Sequence, residues 1–183
     1  METQAHAGHQ AIRSVARAAW PRPSHLAADA HGRSTHNVAV VRRIHHRWTD
    51  LFDLVLDLDR YPEFVPHCRA VKIFSCQAGG QDRTVIVSRM TVGAAGFDVS
   101  YANRTTGDAD ARRIEVKALH GPLTRLNVLW TFEPDGEEWT RVGFSVEYAF
   151  DSAILSAIAS RAFDAMFGDI LAAFERRADR LYA

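Results

Sequence analysis

The sequence has few cysteines and no long apolar run. Its two cysteines, Cys68 and Cys76, are too few for a disulfide framework, so they favour a reducing compartment, and their spacing matches no zinc motif. No apolar run approaches the roughly 18 residues that a membrane span requires, so contact with a membrane would be peripheral. We therefore expect a cytoplasmic protein, with a peripheral position at the inner membrane as the alternative.

A phosphate-binding glycine loop and a Gly-x-Ser-x-Gly elbow are also missing from the sequence. His67 and Cys68 are neighbours, and in extended chain successive side chains point to opposite sides. They are therefore poorly placed to act together as a base and a thiol nucleophile. The sequence predicts no catalytic residue, no metal ligand and no enzymatic activity.

Neither sign of charge is in excess. Lysine plus arginine and aspartate plus glutamate both number 22, which gives a formal net charge of zero. Bulk electrostatics of this kind does not attract nucleic acid, so no nucleic-acid partner is predicted. With 183 residues, 47% of them hydrophobic, the chain is long enough for one domain that folds without disulfides or metals.

The first 36 residues differ in composition from the rest of the chain. They contain five of the nine histidines, with Glu2 and Asp29 as their acids, and Pro21 and Pro23 interrupt any regular pattern. We expect a disordered extension over residues 1–36, or a misassigned start codon, and a domain over residues 37–183. A transit peptide, which is arginine-rich and poor in acids, is the alternative and would make the protein mitochondrial.

The pattern after residue 36 predicts one strand, one short helix and six further strands. The first strand is expected at Asn37–Ile44, and the helix is expected to be capped by Thr49 and to end before Pro62. Turn signals separate later strands at residues 70–76, 84–92, 97–104, 113–119, 126–132 and 140–150. Short turns between successive strands favour an antiparallel meander.

Two of these strands alternate between apolar and polar residues, with aromatic side chains such as Trp130 and Phe144 on the apolar face. This alternation predicts one wet face and one covered face. The covering element is predicted to be a long helix from Ser152 to Tyr182, whose apolar residues recur every four positions and drift around the axis. Such drift suits a helix that crosses a twisted sheet, and it places Gly168 on the polar side.

Three segments resemble the coenzyme Q-binding START-domain family of the polyketide cyclase/dehydrase-like superfamily. Residues 61–68, YPEFVPHC, resemble its Tyr-Pro-x-Phe-(Leu/Val)-Pro-x-Cys segment. Residues 121–134 resemble its Gly-Pro-Phe-x-x-Leu-x-x-x-Trp-x-Phe-x-Pro stretch, and residues 173–182 fit its last helix. The chain departs from the pattern at His67, where relatives often have Trp, and at Leu123, where they have Phe.

The resemblance implies an α+β helix-grip (START-like) fold, in which a curved antiparallel sheet of about seven strands wraps around the long C-terminal helix. It also implies an apolar cavity that binds ubiquinone, or a similar prenylated lipid, without a further cofactor. The protein would then be a carrier that supports respiration or quinone biosynthesis. The ligand-binding residues predicted from the motifs and apolar faces are Tyr61, Pro62, Phe64, Val65, Pro66, Leu123, Leu126, Trp130, Phe132, Phe144, Phe163, Met166, Phe167 and Ile170.

Several alternatives stay open at this point. The apolar stripe of the last helix is also what ordinary core packing produces, and His120 either bonds a quinone carbonyl or faces water. A polyketide cyclase or aromatase would use a polar-lined cavity, whereas the residues projected inward are almost all apolar. A ribosome-association-inhibiting toxin of the same family would need a basic surface, of which the neutral balance gives no sign. The oligomeric state is left open.

Overall fold

A computed structural model of the chain describes residues 27–28, 34–80, 82–94, 97–150, 167 and 169–182. Its β-strands are β1 Ala27–Ala28, β2 Ser34–Ile44, β3 Cys68–Ala78, β4 Arg83–Ala94, β5 Phe97–Asp108, β6 Arg113–His120, β7 Leu123–Pro134 and β8 Thr140–Phe150. They form one antiparallel sheet in the order β1-β2-β8-β7-β6-β5-β4-β3. Strands β3 to β8 are therefore a meander, β2 returns beside β8, and the two residues of β1 extend that edge.

The helices lie between β2 and β3 and at the C-terminus. They are α1 at Trp48–Leu56, a 3₁₀ turn at Leu58–Arg60, α2 at Tyr61–Phe64, and α3, which is described at residues 167 and 169–181. This arrangement of seven long antiparallel strands and a C-terminal helix confirms the predicted helix-grip fold. In the described part of the chain no helix is long and apolar enough to cross a membrane.

The predicted ends of the first helix are wrong. Arg47, not Thr49, precedes the first turn of α1, and its side chain makes no capping bond. Pro62 does not terminate a helix either, because α1 has already ended at Leu56. Pro62 instead lies in the first turn of α2, where its missing N–H would have had no helical partner.

The predicted alternation of β7 and β8 is borne out by burial. On β8 the inward side chains of Val142, Phe144, Val146, Tyr148 and Phe150 are each no more than 2% exposed. They are covered because α3 lies on this face of the sheet: the Phe167 ring lies 5.4 Å from that of Tyr148, centroid to centroid. The predicted start of this helix at Ser152 and the position of Gly168 fall outside the described residues.

The first predicted strand begins earlier than expected, at Ser34 rather than Asn37. His36 belongs to it, since it pairs in register with Tyr148 and stacks on its ring at 4.9 Å. The sequence around this histidine is irregular and contains prolines, so it did not predict a strand. The contact with the aromatic ring on β8 explains why the strand extends this far.

Polar contacts attach α3 to the elements around it. Glu175 accepts a hydrogen bond from Arg42 of β2 at 2.8 Å, and Asp179 lies 2.8 Å from the ring nitrogen of His46. Arg177 donates to Glu63 of α2 at 2.8 Å. Exposed ion pairs each contribute little free energy, so these contacts orient the helix while its buried aromatic side chains hold it in place.

Candidate functional site

A cavity lies between the inner face of the sheet, the α1–α2 segment and α3. Its volume is about 80 Å³, which is room for a few water molecules and less than a lipid ligand requires. The described residues that line it are Val55, Leu58, Tyr61, Val65, Met90, Tyr101, Asn103, Thr105, Val116, Leu126, Val128, Trp130, Phe144, Phe167, Ile170 and Phe174.

The structure brings half of the predicted binding residues together at this cavity. Those that line it are Tyr61, Val65, Leu126, Trp130, Phe144, Phe167 and Ile170. Those placed elsewhere are Pro62, Phe64, Pro66, Leu123 and Phe132. Phe163 and Met166 lie outside the described residues. Ligand contact by any of these residues stays a prediction.

The side chains of the Tyr-Pro-x-Phe motif mainly pack α2 against α3. The ring of Phe64 packs edge-on against Phe174, with centroids 5.0 Å apart, and the Arg177 guanidinium lies 5.4 Å from the Phe64 centroid. Tyr61 also packs against Phe174, at 5.3 Å, and donates a hydrogen bond from its hydroxyl to the Val55 carbonyl. This motif therefore positions one wall of the cavity, and Tyr61 and Val65 line the space itself.

Phe132 and Leu123 are buried but do not line the cavity. The Phe132 ring packs edge-on against Phe52 of α1, at 5.6 Å, so it lies under the first helix. Leu123 lies at the far end of β7, where it pairs in register with Phe150. Both side chains are buried, so their aromatic or apolar character serves the core.

The glycine of the Gly-Pro motif allows a close approach between strands. Gly121 has φ +143°, and a Cβ atom at this position would lie 2.8 Å from Cβ of Tyr101. The turn from β6 to β7 therefore lies directly against Tyr101 of β5, and any larger residue would push the two apart.

A buried polar strip on β4 and β5 was missed by the sequence reasoning. Ser88, Asn103 and Thr105 are no more than 1% exposed, and Asn103 and Thr105 line the cavity. Ser88 donates a hydrogen bond to Asn103 Oδ1 at 3.0 Å, and Thr105 donates to the same atom at 3.4 Å. The expectation that inward residues are almost all apolar is therefore wrong here. Period-two alternation from Val99 through Tyr101 would have placed these residues inward.

Hydroxyl and thiol groups near the cavity stay uncharged. Burial raises the pKa of Tyr61 and of Tyr101, whose hydroxyl donates to the Met90 sulfur at 3.3 Å. Burial also raises the pKa of the Cys68 thiol to about 11. Since no described lysine, arginine, histidine, aspartate or glutamate lines the cavity, its described wall is electrically neutral at pH 7.

The candidate histidines His67 and His120 do not line this space. His67 is exposed and has φ +62°, while its neighbour Cys68 is buried. His120 is exposed at the end of β6. Within the described ranges, no three or more His, Cys, Asp or Glu side chains are grouped so that they could hold a metal ion.

The outer face of strands β3 to β6 carries a row of cationic side chains. Lys72 on β3 is opposite Arg89 on β4, and Arg104 on β5 is opposite Lys117 on β6. Phe74, which is 50% exposed, lies between Lys72 and Arg89, whose charged groups are 5.9 and 5.7 Å from its centroid. Among the described residues, Lys72, Arg89 and Arg104 have no acidic partner within ion-pair distance, whereas Lys117 is 3.6 Å from Glu115. We refer to Lys72, Phe74, Arg89 and Arg104 as the basic face.

A curved antiparallel sheet that encloses an apolar cavity under its C-terminal helix defines a helix-grip, START-like protein. Residues 44–175 match the family model described as "Polyketide cyclase / dehydrase and lipid transport". The chain belongs to this family, whose members include proteins that hold apolar ligands in the fold.

Three relatives illustrate its range. The chain is 30% identical over 131 residues to the ribosome association toxin RatA of Rickettsia prowazekii, covering 70% of this chain and 86% of that protein. It is 29% identical over 136 residues to a mitochondrial coenzyme Q-binding protein homologue of Xenopus laevis, covering 72% and 53% of the two chains. The solution structure of an 18 kDa protein of Caulobacter crescentus is 36% identical, with a TM-score of 0.66 and coverage of 80% and 98%.

Proposed function

We propose that this protein binds a prenylated quinone, such as ubiquinone, in the cavity under α3 and carries it without transforming it. The proposal rests on the chemistry of the cavity wall. Its described residues are all uncharged, and they are mostly apolar outside the buried polar strip on β4 and β5. Burial of isoprenoid surface contributes about 25 cal/mol per Å², part of which offsets the entropy lost on association. A coenzyme Q-binding protein is among the relatives, which supports this choice of ligand.

The wall must move outward when such a ligand enters. A volume of about 80 Å³ is well below the roughly 300 Å³ at which ligand pockets begin. Phe167 and Phe174 of α3 occupy the space between that helix and the sheet, so their displacement is the simplest way to make room. We expect ligand uptake to be accompanied by a rearrangement of these two rings.

A carrier role fits the chemistry of the wall better than catalysis does. A cyclase moves protons, whereas burial keeps the phenols of Tyr61 and Tyr101 protonated by raising their pKa values. The Cys68 thiol, with a pKa of about 11, is a poor nucleophile at neutral pH. The described wall can therefore enclose an apolar ligand and form hydrogen bonds through one strip of side chains, but it has no acid–base pair.

Trp130 provides a direct probe of occupancy, because it lines the cavity and quinones quench indole fluorescence. Titration of lipid-free protein with a short-chain ubiquinone is expected to give saturable quenching. The variant Trp130→Phe should lose that saturable component and still retain the quinone on equilibrium dialysis. Quenching that does not saturate, or that is unchanged in Trp130→Phe, would place the ligand elsewhere and contradict the proposal.

The basic face favours a second candidate, association with ribosomal RNA. Cations placed directly opposite one another on neighbouring strands repel, so the Lys72–Arg89 pair costs stability unless an anion covers it. An exposed aromatic ring between these cations adds a surface on which a base can stack. A net charge of zero for the whole chain is compatible with this local excess of positive charge. Several relatives are named ribosome association toxins, which supports the same candidate.

Co-sedimentation with ribosomal subunits at increasing salt tests this candidate. Replacing Lys72, Arg89 and Arg104 by Ser is expected to weaken binding and to reduce the slope of log affinity against log salt by about 2 to 3. A control with Arg47, Arg176 and Arg180 replaced by Ser removes the same charge from other elements and should bind normally. Equal weakening in both variants, or binding to anionic vesicles in place of subunits, would exclude ribosomal RNA as the specific partner.

A further inference from the structure

The amide of Asn103 is the least satisfied polar group of the cavity. The side chain is 1% exposed and lines the space under α3. Its oxygen accepts hydrogen bonds from Ser88 and Thr105, whereas its nitrogen, Nδ2, has no hydrogen-bond partner among the described residues. A buried donor left without a partner is destabilising, so this position favours a ligand group that accepts a hydrogen bond from it.

The hydroxyl groups fix which end of the amide points to the cavity. With Oδ1 turned toward Ser88 and Thr105, one atom accepts both hydroxyl protons. The opposite orientation would set Nδ2, a donor, against these two hydroxyls and would leave their protons without this acceptor. The arrangement therefore leaves Nδ2, with its N–H groups, as the atom of this amide that has no partner among the described residues.

We propose that Asn103 is the specificity-determining residue of the cavity, where Nδ2 donates a hydrogen bond to a neutral carbonyl oxygen of the ligand. This inference rests on the proposed function and names the ligand group that is recognised. A hydrocarbon chain cannot accept this hydrogen bond and would leave the donor unpaired. A site with a buried hydrogen-bonding group therefore binds such a ligand much more weakly than one that has an acceptor. A carboxylate would need a cation for compensation, and no described lysine, arginine or histidine lines the cavity.

Two ligands that differ in their carbonyl groups test this assignment. The affinities of a short-chain ubiquinone and of the prenylated benzene with the same tail are measured for the wild type and for Asn103→Leu. The wild type is expected to prefer the quinone by about tenfold beyond their difference in hydrophobicity, and Asn103→Leu should lose that preference while it retains the hydrocarbon. Val116→Ala is the control, because it changes the apolar wall and leaves the Asn103 amide in place. It should change the affinities for the two ligands by the same factor.

Infrared spectroscopy of the carbonyl gives an independent reading on the wild-type protein, which is needed if Asn103→Leu does not fold. The stretching frequency of one carbonyl of bound, ¹³C-labelled quinone is expected to fall relative to the quinone in alkane. An unshifted frequency, or equal preference for the quinone in the wild type and in Asn103→Leu, would overturn the role of Asn103. Failure of the wild type to bind either ligand would instead reject the proposed function.

Discussion

At the scale of single residues, the cavity combines an apolar surface with groups that burial keeps neutral. Cys68, which is buried but is not one of the lining residues, shows the same effect, since desolvation raises the pKa of its thiol to about 11. The folded protein keeps this proton at a pH where the unfolded chain releases it, near the ordinary thiol value of about 8.5. The contribution of Cys68 to stability is therefore complete below that value and declines as the pH rises toward 11.

The same burial makes Cys68 unreactive. We predict that iodoacetamide at pH 8 alkylates Cys76, which is exposed, and leaves Cys68 unmodified in the native protein. Peptide mapping by mass spectrometry measures both sites in one sample, and protein unfolded in denaturant should be modified at both. Native-state labelling of Cys68 at the rate of Cys76 would show that the thiol is accessible and ionised, contrary to this account.

At the scale of elements, α3 is held by one aromatic side chain more than by its ion pairs. Phe174 is 3% exposed and contacts the rings of Tyr61, Phe64 and Trp130 at centroid distances of 5.3, 5.0 and 4.9 Å. It therefore joins α2, α3 and β7 at one point. The free energy of this contact is dominated by burial of the ring and by edge-to-face packing.

Removal of that ring is predicted to destabilise the whole domain. Phe174→Ala should lower the free energy of unfolding by about 3–5 kcal/mol, because it deletes a buried aromatic side chain and leaves a hole between three elements. Chemical denaturation measures the change, with Leu181→Ala, at a position 49% exposed on the same helix, as the control. A loss below about 1 kcal/mol for Phe174→Ala would mean that α3 is held by other contacts.

A charge on the inner face of α3 is predicted to abolish ligand uptake. Phe167 is 5% exposed and lines the cavity, so Phe167→Asp places a carboxylate where the apolar ligand must lie. Uptake of a labelled prenylated quinone, followed by gel filtration, should be lost in this variant and kept in Leu181→Asp. Circular dichroism checks that both remain folded. Normal uptake by folded Phe167→Asp would show that this part of the helix does not contact the ligand.

At the scale of the whole molecule, we propose that the domain begins at residue 34 and not at residue 37. Strand β2 starts there, and His36 stacks on Tyr148. A chain of residues 34–183 is predicted to unfold at nearly the temperature of the full chain. A chain of residues 37–183 should still fold but unfold a few degrees lower, since it lacks that contact. Differential scanning calorimetry compares the three, and a large loss for residues 34–183 would show that the first 33 residues stabilise the domain.

Much of this architecture follows from the sequence, because strong local patterns agree with the fold. The period-two pattern that includes Trp130 and Phe144 reports burial directly, so the covered face of β7 and β8 was predictable. The inward position of Asn103 follows from the same kind of pattern, but its hydrogen bonds do not, since they depend on Ser88 of the neighbouring strand. The basic face was missed for a similar reason. Lys72 and Arg104 become neighbours of other cations only after strands pair, and the net charge averages them away.

If a prenylated quinone occupies the space under α3, it should stay with the protein through purification, so identifying the lipid that the purified protein carries is the decisive experiment. The full chain is produced in quinone-containing cells, purified without detergent and extracted with organic solvent, and the extract is analysed by mass spectrometry beside that of Phe167→Asp. We expect a prenylated quinone in the wild-type extract and little in that of the variant. Wild-type protein that carries no quinone, and takes up none when it is supplied, would show that the cavity is not a quinone-binding site.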